Sequence, residues 1–154
     1  MAQSPTSDAV LQAIQSAFHG VALGEGIGLW QAQAIDDYAD EAAAQRARRQ
    51  DEQMDWTRIP VAQLKQCDSS LCFFDAAGMR FHLPAFLCAE LNGQNGSVIF
   101  SLTQLDDYKR SMLAALDGTQ RGAVVQFLQF CLSDALYENE HWAIQRALDE
   151  YWLA

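Results

Sequence analysis

Apolar and polar residues alternate on both sides of a turn signal in the middle of the chain. Residues 71–83 read LCFFDAAGMRFHL, and their apolar positions recur with the period of two that a half-buried β-strand requires. Asp75 and Gly78 suit a tight turn, because aspartate bonds its own backbone there and glycine accepts a positive φ. The pattern predicts an antiparallel β-hairpin with strands at about residues 71–75 and 79–83.

This predicted hairpin has one apolar and one polar face. The apolar face collects Leu71, Phe73, Met79, Phe81 and Leu83. Burial of each large side chain contributes about 1.5–3 kcal/mol, which fixes the register. Arg80 and His82 lie on the polar face, where histidine can act as a base and arginine can hold a carboxylate or a phosphate. A purely structural role for the two residues is the competing interpretation.

Helical spacing of apolar residues dominates the rest of the chain. Helices are predicted at Ser7–His19, at Leu29 to about Arg49, at Pro84–Leu91, behind Asp117, and at Glu138–Trp152. Residues 97–102, SVIFSL, are rich in β-forming side chains and could add a third strand to the sheet. The predicted fold is therefore α+β: a single domain over residues 1–154, mostly helical, around a central hairpin.

The net charge of the chain and the length of its apolar runs limit the classes of function that it can have. The 154 residues carry a formal net charge of −10, which argues against binding to phosphate backbones and hence against a nucleic-acid partner. No apolar run approaches the roughly 18 residues of a membrane span, and the first residues show no secretory signal. A cytoplasmic protein without a membrane contact is expected. No phosphate loop or metalloprotease motif is present, so no cofactor is predicted.

Four carboxylates form an acidic patch on the predicted helix that begins at Leu29. Asp36 and Asp37 lie three to five residues before Asp40 and Glu41, and residues three or four apart are neighbours on a helix surface. A solvated helix face is the plainest interpretation of such a cluster. The sharper interpretation is a docking surface for a basic protein partner, and paired carboxylates for acid–base chemistry come third.

Cys72, Cys88 and Cys131 stand in apolar settings, and the four cysteines are predicted to be reduced core residues. Zinc binding would require Cys67, Cys72, Cys88 and His82 to converge, although no CxxC pair is present, so no metal site is predicted. Cys72 opposite His82 on the hairpin is the one concrete candidate for a nucleophile and base. Its apolar neighbours would disfavour the thiolate.

Three motifs together resemble an uncharacterised family of small bacterial proteins. They are GMRFHLPAFL, the DDY of the alanine-rich helix, and DW-x-x-I-P. The family has a G-x-R-F-x-L-P-A core and a later L-T-P-x-Q helix start, and the similarity covers roughly residues 18–130. Gly118 replaces the proline of the second motif. The resemblance implies a shared fold and a bacterial source, and it implies no activity or catalytic residue.

Three functions fit these observations. The favoured hypothesis is a non-enzymatic protein-binding module, such as an inhibitor or immunity protein that neutralises a basic toxin. The second is a small enzyme that uses Arg80 and His82 with nearby carboxylates. The third is a homo-oligomeric structural protein that associates through its C-terminal aromatic residues.

Overall fold

A computed structural model describes residues 5–154, and all regular structure in this part of the chain is helical. The α-helices are α1 (Ser7–Ala17), α2 (Leu29–Asp36), α3 (Glu41–Arg49), α4 (Val61–Gln66), α5 (Ala76–Leu91), α6 (Val98–Thr103), α7 (Asp107–Leu113), α8 (Gly118–Leu132) and α9 (His141–Ala147). Short 3-10 helices occupy Trp56–Arg58, Asp68–Cys72 and Ala135–Glu140, and a π-helical turn, Leu148–Trp152, follows α9. The first four residues of the predicted domain lie outside the described part.

The predicted α+β fold with a central hairpin is wrong, because residues 5–154 contain no strand. Residues 68–72 form a 3-10 helix, and Asp75 is the N-cap of α5. Its side chain accepts a hydrogen bond from the Gly78 N–H at 2.8 Å, so Gly78 stands in the first turn of a helix. An N-cap aspartate bonds the N–H three residues on, and this local bond replaces the predicted β-turn.

Helix α5 is buried on nearly every side, which explains the misleading alternation. Apolar residues lie on all sides of α5. Residues two positions apart are therefore often both apolar, which resembles the period of a β-strand. Such a helix is typical of the centre of a protein. It packs against α1, α4, α6 and α7, and its buried side chains belong to one continuous apolar cluster. Pro84 does not begin a helix as predicted; it lies in the middle of α5, where its missing N–H removes one backbone hydrogen bond.

The predicted third strand, 97–102, is also wrong, because this segment forms α6. Val98, Ile99 and Leu102 are buried while Phe100 is exposed. That pattern follows the helical period rather than a period of two. The strand preference of β-branched residues is weak enough for packing to override it.

The predicted helix from Leu29 to Arg49 is interrupted at residues 37–40 and becomes two helices, α2 and α3, that pack on each other. Asp51 closes the N-terminus of α2 by accepting hydrogen bonds from the N–H groups of Trp30 and Gln31, at 2.7 and 3.2 Å. Burial raises the pKa of this carboxyl, although both hydrogen bonds oppose the shift. In residues 5–154, no helix has the length and apolar character that crossing a membrane requires.

Candidate binding surface

The four carboxylates of the predicted acidic patch surround the turn between α2 and α3: Asp36 ends α2, Asp37 and Asp40 lie in the turn, and Glu41 begins α3. We call residues 36–41 the acidic loop. The N–H of Ala39 donates to the Ala34 carbonyl at 2.9 Å, and the N–H of Tyr38 donates to the Ile35 carbonyl at 3.1 Å. This pair of bonds ends a helix when the residue after the cap is left-handed, a place that glycine normally takes. Here the residue is Tyr38, with φ +59°.

Tyr38 gains nothing from packing in return for this conformation. Its side chain is 97% exposed, while a left-handed backbone costs a residue with a Cβ roughly 1 kcal/mol. The ring and hydroxyl of a tyrosine suit a protein contact, because they combine a large apolar face with a polar end. The exposed tyrosine therefore destabilises its own turn and is available to another molecule.

Replacement of Tyr38 by glycine is expected to stabilise the chain by about 1 kcal/mol, since glycine adopts the left-handed region without strain. Equilibrium unfolding in urea measures the change. Ala39→Gly is the matched control: it lies one position further on with an ordinary φ, and glycine there should be slightly destabilising. A loss of stability in Tyr38→Gly would show that the ring makes contacts within the chain.

The four carboxylates of the acidic loop have different local duties. Asp40 caps α3 by accepting the Ala43 N–H at 2.8 Å, and Asp36 accepts the Ser69 hydroxyl at 2.9 Å. Asp37 and Glu41 are exposed, and the only side-chain donor on Asp37 is a distant amide of Gln33, at 3.4 Å. Asp37 and Glu41 are thus the two carboxylates that can be changed at least structural cost.

The 3-10 helix Asp68–Cys72 connects the acidic loop to another carboxylate, that of Asp68. Ser69 bonds Asp36, and the neighbouring Asp68 accepts the Ser97 N–H at 3.0 Å. Asp68 also lines a pocket of about 260 Å³, together with the apolar side chains of Leu64, Phe86 and Val98. The walls of this pocket come from separate segments, residues 64–68, 86–90 and 94–98, so no local sequence motif marks it.

Glu90 also lines this pocket and is only 4% exposed. Its carboxylate accepts the Gly96 N–H at 3.2 Å and the Tyr137 hydroxyl at 2.9 Å. Burial raises the pKa of Glu90, and the carboxylates of Asp68 and Glu140 raise it further. Both oxygens are thus engaged in joining α5 to the next loop and to the 3-10 helix Ala135–Glu140. A lone glutamate inside the apolar run FLCAEL was the sequence signal for this role.

A comparison with known protein families identifies the family of this chain. A model of a family of unknown function, DUF6714, matches residues 6–154. The chain belongs to this family. Membership of DUF6714 confirms the resemblance to an uncharacterised family, whereas the motifs and the bacterial source stay predictions. No curated protein and no solved structure matches the chain.

Arg80 and His82 of this DUF6714 chain serve separate structural neighbours, since the predicted polar hairpin face does not exist. The Arg80 Nε donates to the Gln120 Oε1 at 3.2 Å. His82 is completely buried, and its ring stacks on Phe74 with 4.4 Å between centroids. Its Nδ1 lies 2.7 Å from the Gly78 carbonyl. Arg80 is thus engaged with α8, and His82 with its own helix and Phe74.

The cysteines and histidines of this DUF6714 chain do not converge on a metal. Within residues 5–154, no group of three or more His, Cys, Asp or Glu side chains could hold an ion. Cys67 and Cys131 are buried as predicted, while Cys88 is half-buried. Cys72 is exposed, whereas His82 is fully buried. The prediction that Cys72 is a core residue is therefore wrong, because the segment that carries it is a 3-10 helix and not a strand.

The C-terminal aromatic residues divide between core and surface. Trp152 is 5% exposed, and its indole N–H donates to the Leu102 carbonyl at 3.0 Å. Trp142 is 73% exposed, with the Arg146 guanidinium 5.4 Å from its ring centroid. The aromatic surface for the predicted homo-oligomer is therefore smaller than the sequence indicates, because one of the two tryptophans seals the core.

Proposed function

We propose that this DUF6714 chain is a non-enzymatic protein-binding module that holds a basic protein partner on its acidic loop. An inhibitor or immunity protein that neutralises a basic toxin in the bacterial cytoplasm is a protein of this kind. The observation that supports the proposal most is Tyr38, a fully exposed aromatic residue in a strained backbone conformation. It stands among four carboxylates that the turn between α2 and α3 presents together.

The charge of the loop is not neutralised from within. Among residues 5–154 the only ion pair within 4.0 Å joins Arg146 to Glu150, on α9 and the turn that follows it. Arg48 of α3 points elsewhere, since its guanidinium donates to the carbonyls of Gly24 and Gly26. Among residues 5–154, no basic side chain thus forms an ion pair with the four carboxylates. With a net charge of −10, the whole chain attracts a cationic protein and repels a second copy of itself.

The expected binding mode combines steering and a central anchor. Carboxylates that remain hydrated raise the association rate and make it fall with salt. An aromatic side chain at the centre of an interface typically contributes much of the affinity. Tyr38 would therefore fill a pocket on the partner, while Asp37 and Glu41 would meet lysine or arginine around it.

Selection from a displayed library of random peptides tests this function with a defined probe. We expect the peptides enriched on the native chain to carry a net positive charge and at least one apolar side chain. Asp37→Asn with Glu41→Gln should weaken their binding about tenfold at low salt. Tyr38→Ala should weaken it about tenfold or more, because it removes the anchor.

A control double substitution outside the acidic loop distinguishes the contribution of the loop to binding from that of the chain's net charge. Asp107→Asn with Glu138→Gln removes two other exposed carboxylates and should change the affinity by less than about twofold. Enriched peptides without basic residues, or equal binding by the loop variants and the native chain, would refute the proposal.

A further inference from the structure

Cys72 differs from the other three cysteines in being open to solvent. It ends the 3-10 helix Asp68–Cys72 and is exposed. Burial raises the pKa of Cys67 to about 12, of Cys88 to about 11 and of Cys131 to about 12. Those three thiols are protonated at neutral pH and are at least partly shielded. Chemistry at sulfur in the folded chain is thus concentrated at Cys72.

A buried lysine points at this thiol. Lys109 is 7% exposed, and its Nζ lies 3.7 Å from the Cys72 Sγ and 3.4 Å from the Ser101 Oγ. Buried lysines are rare unless an anion accompanies them. No carboxylate of the described residues lies within 4.0 Å of the Lys109 ammonium. The two side-chain groups that contact this amine are the Ser101 hydroxyl and the Cys72 thiol.

The pair is held in place from both sides. Asp106 caps α7 by accepting the Lys109 N–H at 2.8 Å, which fixes the start of the lysine side chain. The Tyr108 hydroxyl donates to the Phe74 carbonyl at 3.0 Å, so α7 is tied to the segment that follows Cys72. Ser101 is 1% exposed, and its hydroxyl limits where the ammonium can move. The approach of nitrogen to sulfur therefore belongs to a fixed arrangement of three elements.

We propose that Cys72, whose sulfur has the buried Lys109 amine beside it, is the site at which this chain undergoes thiol–disulfide exchange with a small disulfide. The Cys72 thiolate attacks one sulfur of the disulfide and forms a new S–S bond. The original S–S bond breaks, and its electron pair leaves on the second sulfur as a thiolate. Lys109 takes no part in the bond exchange and acts as a positioning residue, because a lysine beside a thiol favours the nucleophilic form of the sulfur. A free thiol reverses the modification by the same exchange.

A neutral reagent, bis(2-hydroxyethyl) disulfide, tests the proposal, since it cannot be attracted to the lysine by charge. At neutral pH, mass spectrometry of the intact folded chain should show one rapidly added mercaptoethanol group, and digestion should place it on Cys72. Cys72→Ser should abolish the rapid phase. The three remaining thiols should react only after denaturation.

Two substitutions test whether the rate depends on the positive charge of Lys109 or on the size of its side chain. Lys109→Met keeps a long side chain in the buried site and should slow the rapid phase about tenfold, whereas Lys109→Arg keeps the charge and should restore most of the rate. Unfolding in urea checks that both variants fold. A folded Lys109→Met chain that reacts as fast as the native chain would overturn the proposal, and so would rapid modification at another cysteine. Reduced rates in Lys109→Met with full rates in Lys109→Arg are the supporting result.

Discussion

Gly78→Ala is expected to destabilise the chain by about 3 kcal/mol, although alanine favours a helix over glycine by about 1 kcal/mol. A Cβ at this position would lie 2.5 Å from the Ile27 carbonyl oxygen and 2.9 Å from the Asp75 Oδ1. The loop cannot move aside, since the Ile27 N–H donates to the same Asp75 oxygen that caps α5. Either the loop or the cap must break. Urea unfolding of the variant at neutral pH measures the loss.

Gly122→Ala is the control for this substitution. Gly122 lies inside α8, and a Cβ there would meet nothing within 4 Å. The substitution should therefore stabilise the chain by up to about 1 kcal/mol through helix preference alone. Equal effects at Gly78 and Gly122 would contradict the packing of the loop against the first turn of α5, and with it the central position of that helix.

The error at α5 has a definite physical origin. A type I turn and the first turn of a helix have similar backbone angles, and aspartate is favoured at the start of both. The four residues from Asp75 to Gly78 therefore fit either structure. The burial of the following residues on all sides decides between a turn and a helix. This burial depends on helices from the rest of the chain, and residues 75–78 alone do not indicate it.

Local signals were sufficient where a helix end is closed by its own residues. Asp117 and Gln120 predict a capped helix start, and the structure shows both bonds: Asp117 accepts the Gln120 N–H at 2.8 Å, and the Gln120 side chain accepts the Asp117 N–H at 3.0 Å. The acidic patch was found for the same reason, because its members are close in sequence. The left-handed Tyr38 was not, since an unbroken helix was predicted there.

Contacts between distant residues lay beyond the sequence analysis. Glu90 meets Tyr137 across 47 positions, and Lys109 meets Cys72 across 37. Neither pair has a characteristic spacing, and each depends on how helices pack. A charged residue inside an apolar helix is the signal that such a partner exists, but the signal does not say where along the chain the partner lies.

The stability of the chain is expected to depend on His82 at acidic pH. The Gly78 carbonyl can only accept, so the Nδ1 of His82 carries the proton, and its Nε2 is buried without a partner among the described residues. Burial lowers the pKa of His82 from 6.5 to about 4, against the opposing effects of the Gly78 carbonyl and Asp75. The folded chain therefore keeps a neutral imidazole at a pH where the unfolded chain is protonated.

The sign of the effect follows from this difference. Between about pH 6.5 and pH 4 the unfolded chain binds a proton that the folded chain does not, so stability falls as the pH falls. The stabilisation is complete above pH 6.5, and the total loss approaches about 3 kcal/mol. Asp51 and Glu90 act in the opposite direction, because burial raises the pKa of both carboxyls and the folded chain protonates them first. The slope for the native chain is the sum of these contributions.

A comparison of variants isolates the histidine from those carboxyls. His82→Phe can still stack on Phe74 and has no proton to bind, so its stability should lack the acid loss. The difference between native and variant unfolding free energies, measured in urea from pH 7.5 to pH 4, should therefore change by about 3 kcal/mol in favour of the variant. His19→Gln, at an exposed position, should leave the slope unchanged. Parallel curves for the native chain and His82→Phe would mean that the imidazole is protonated in the folded state, which the stacked and buried ring does not allow.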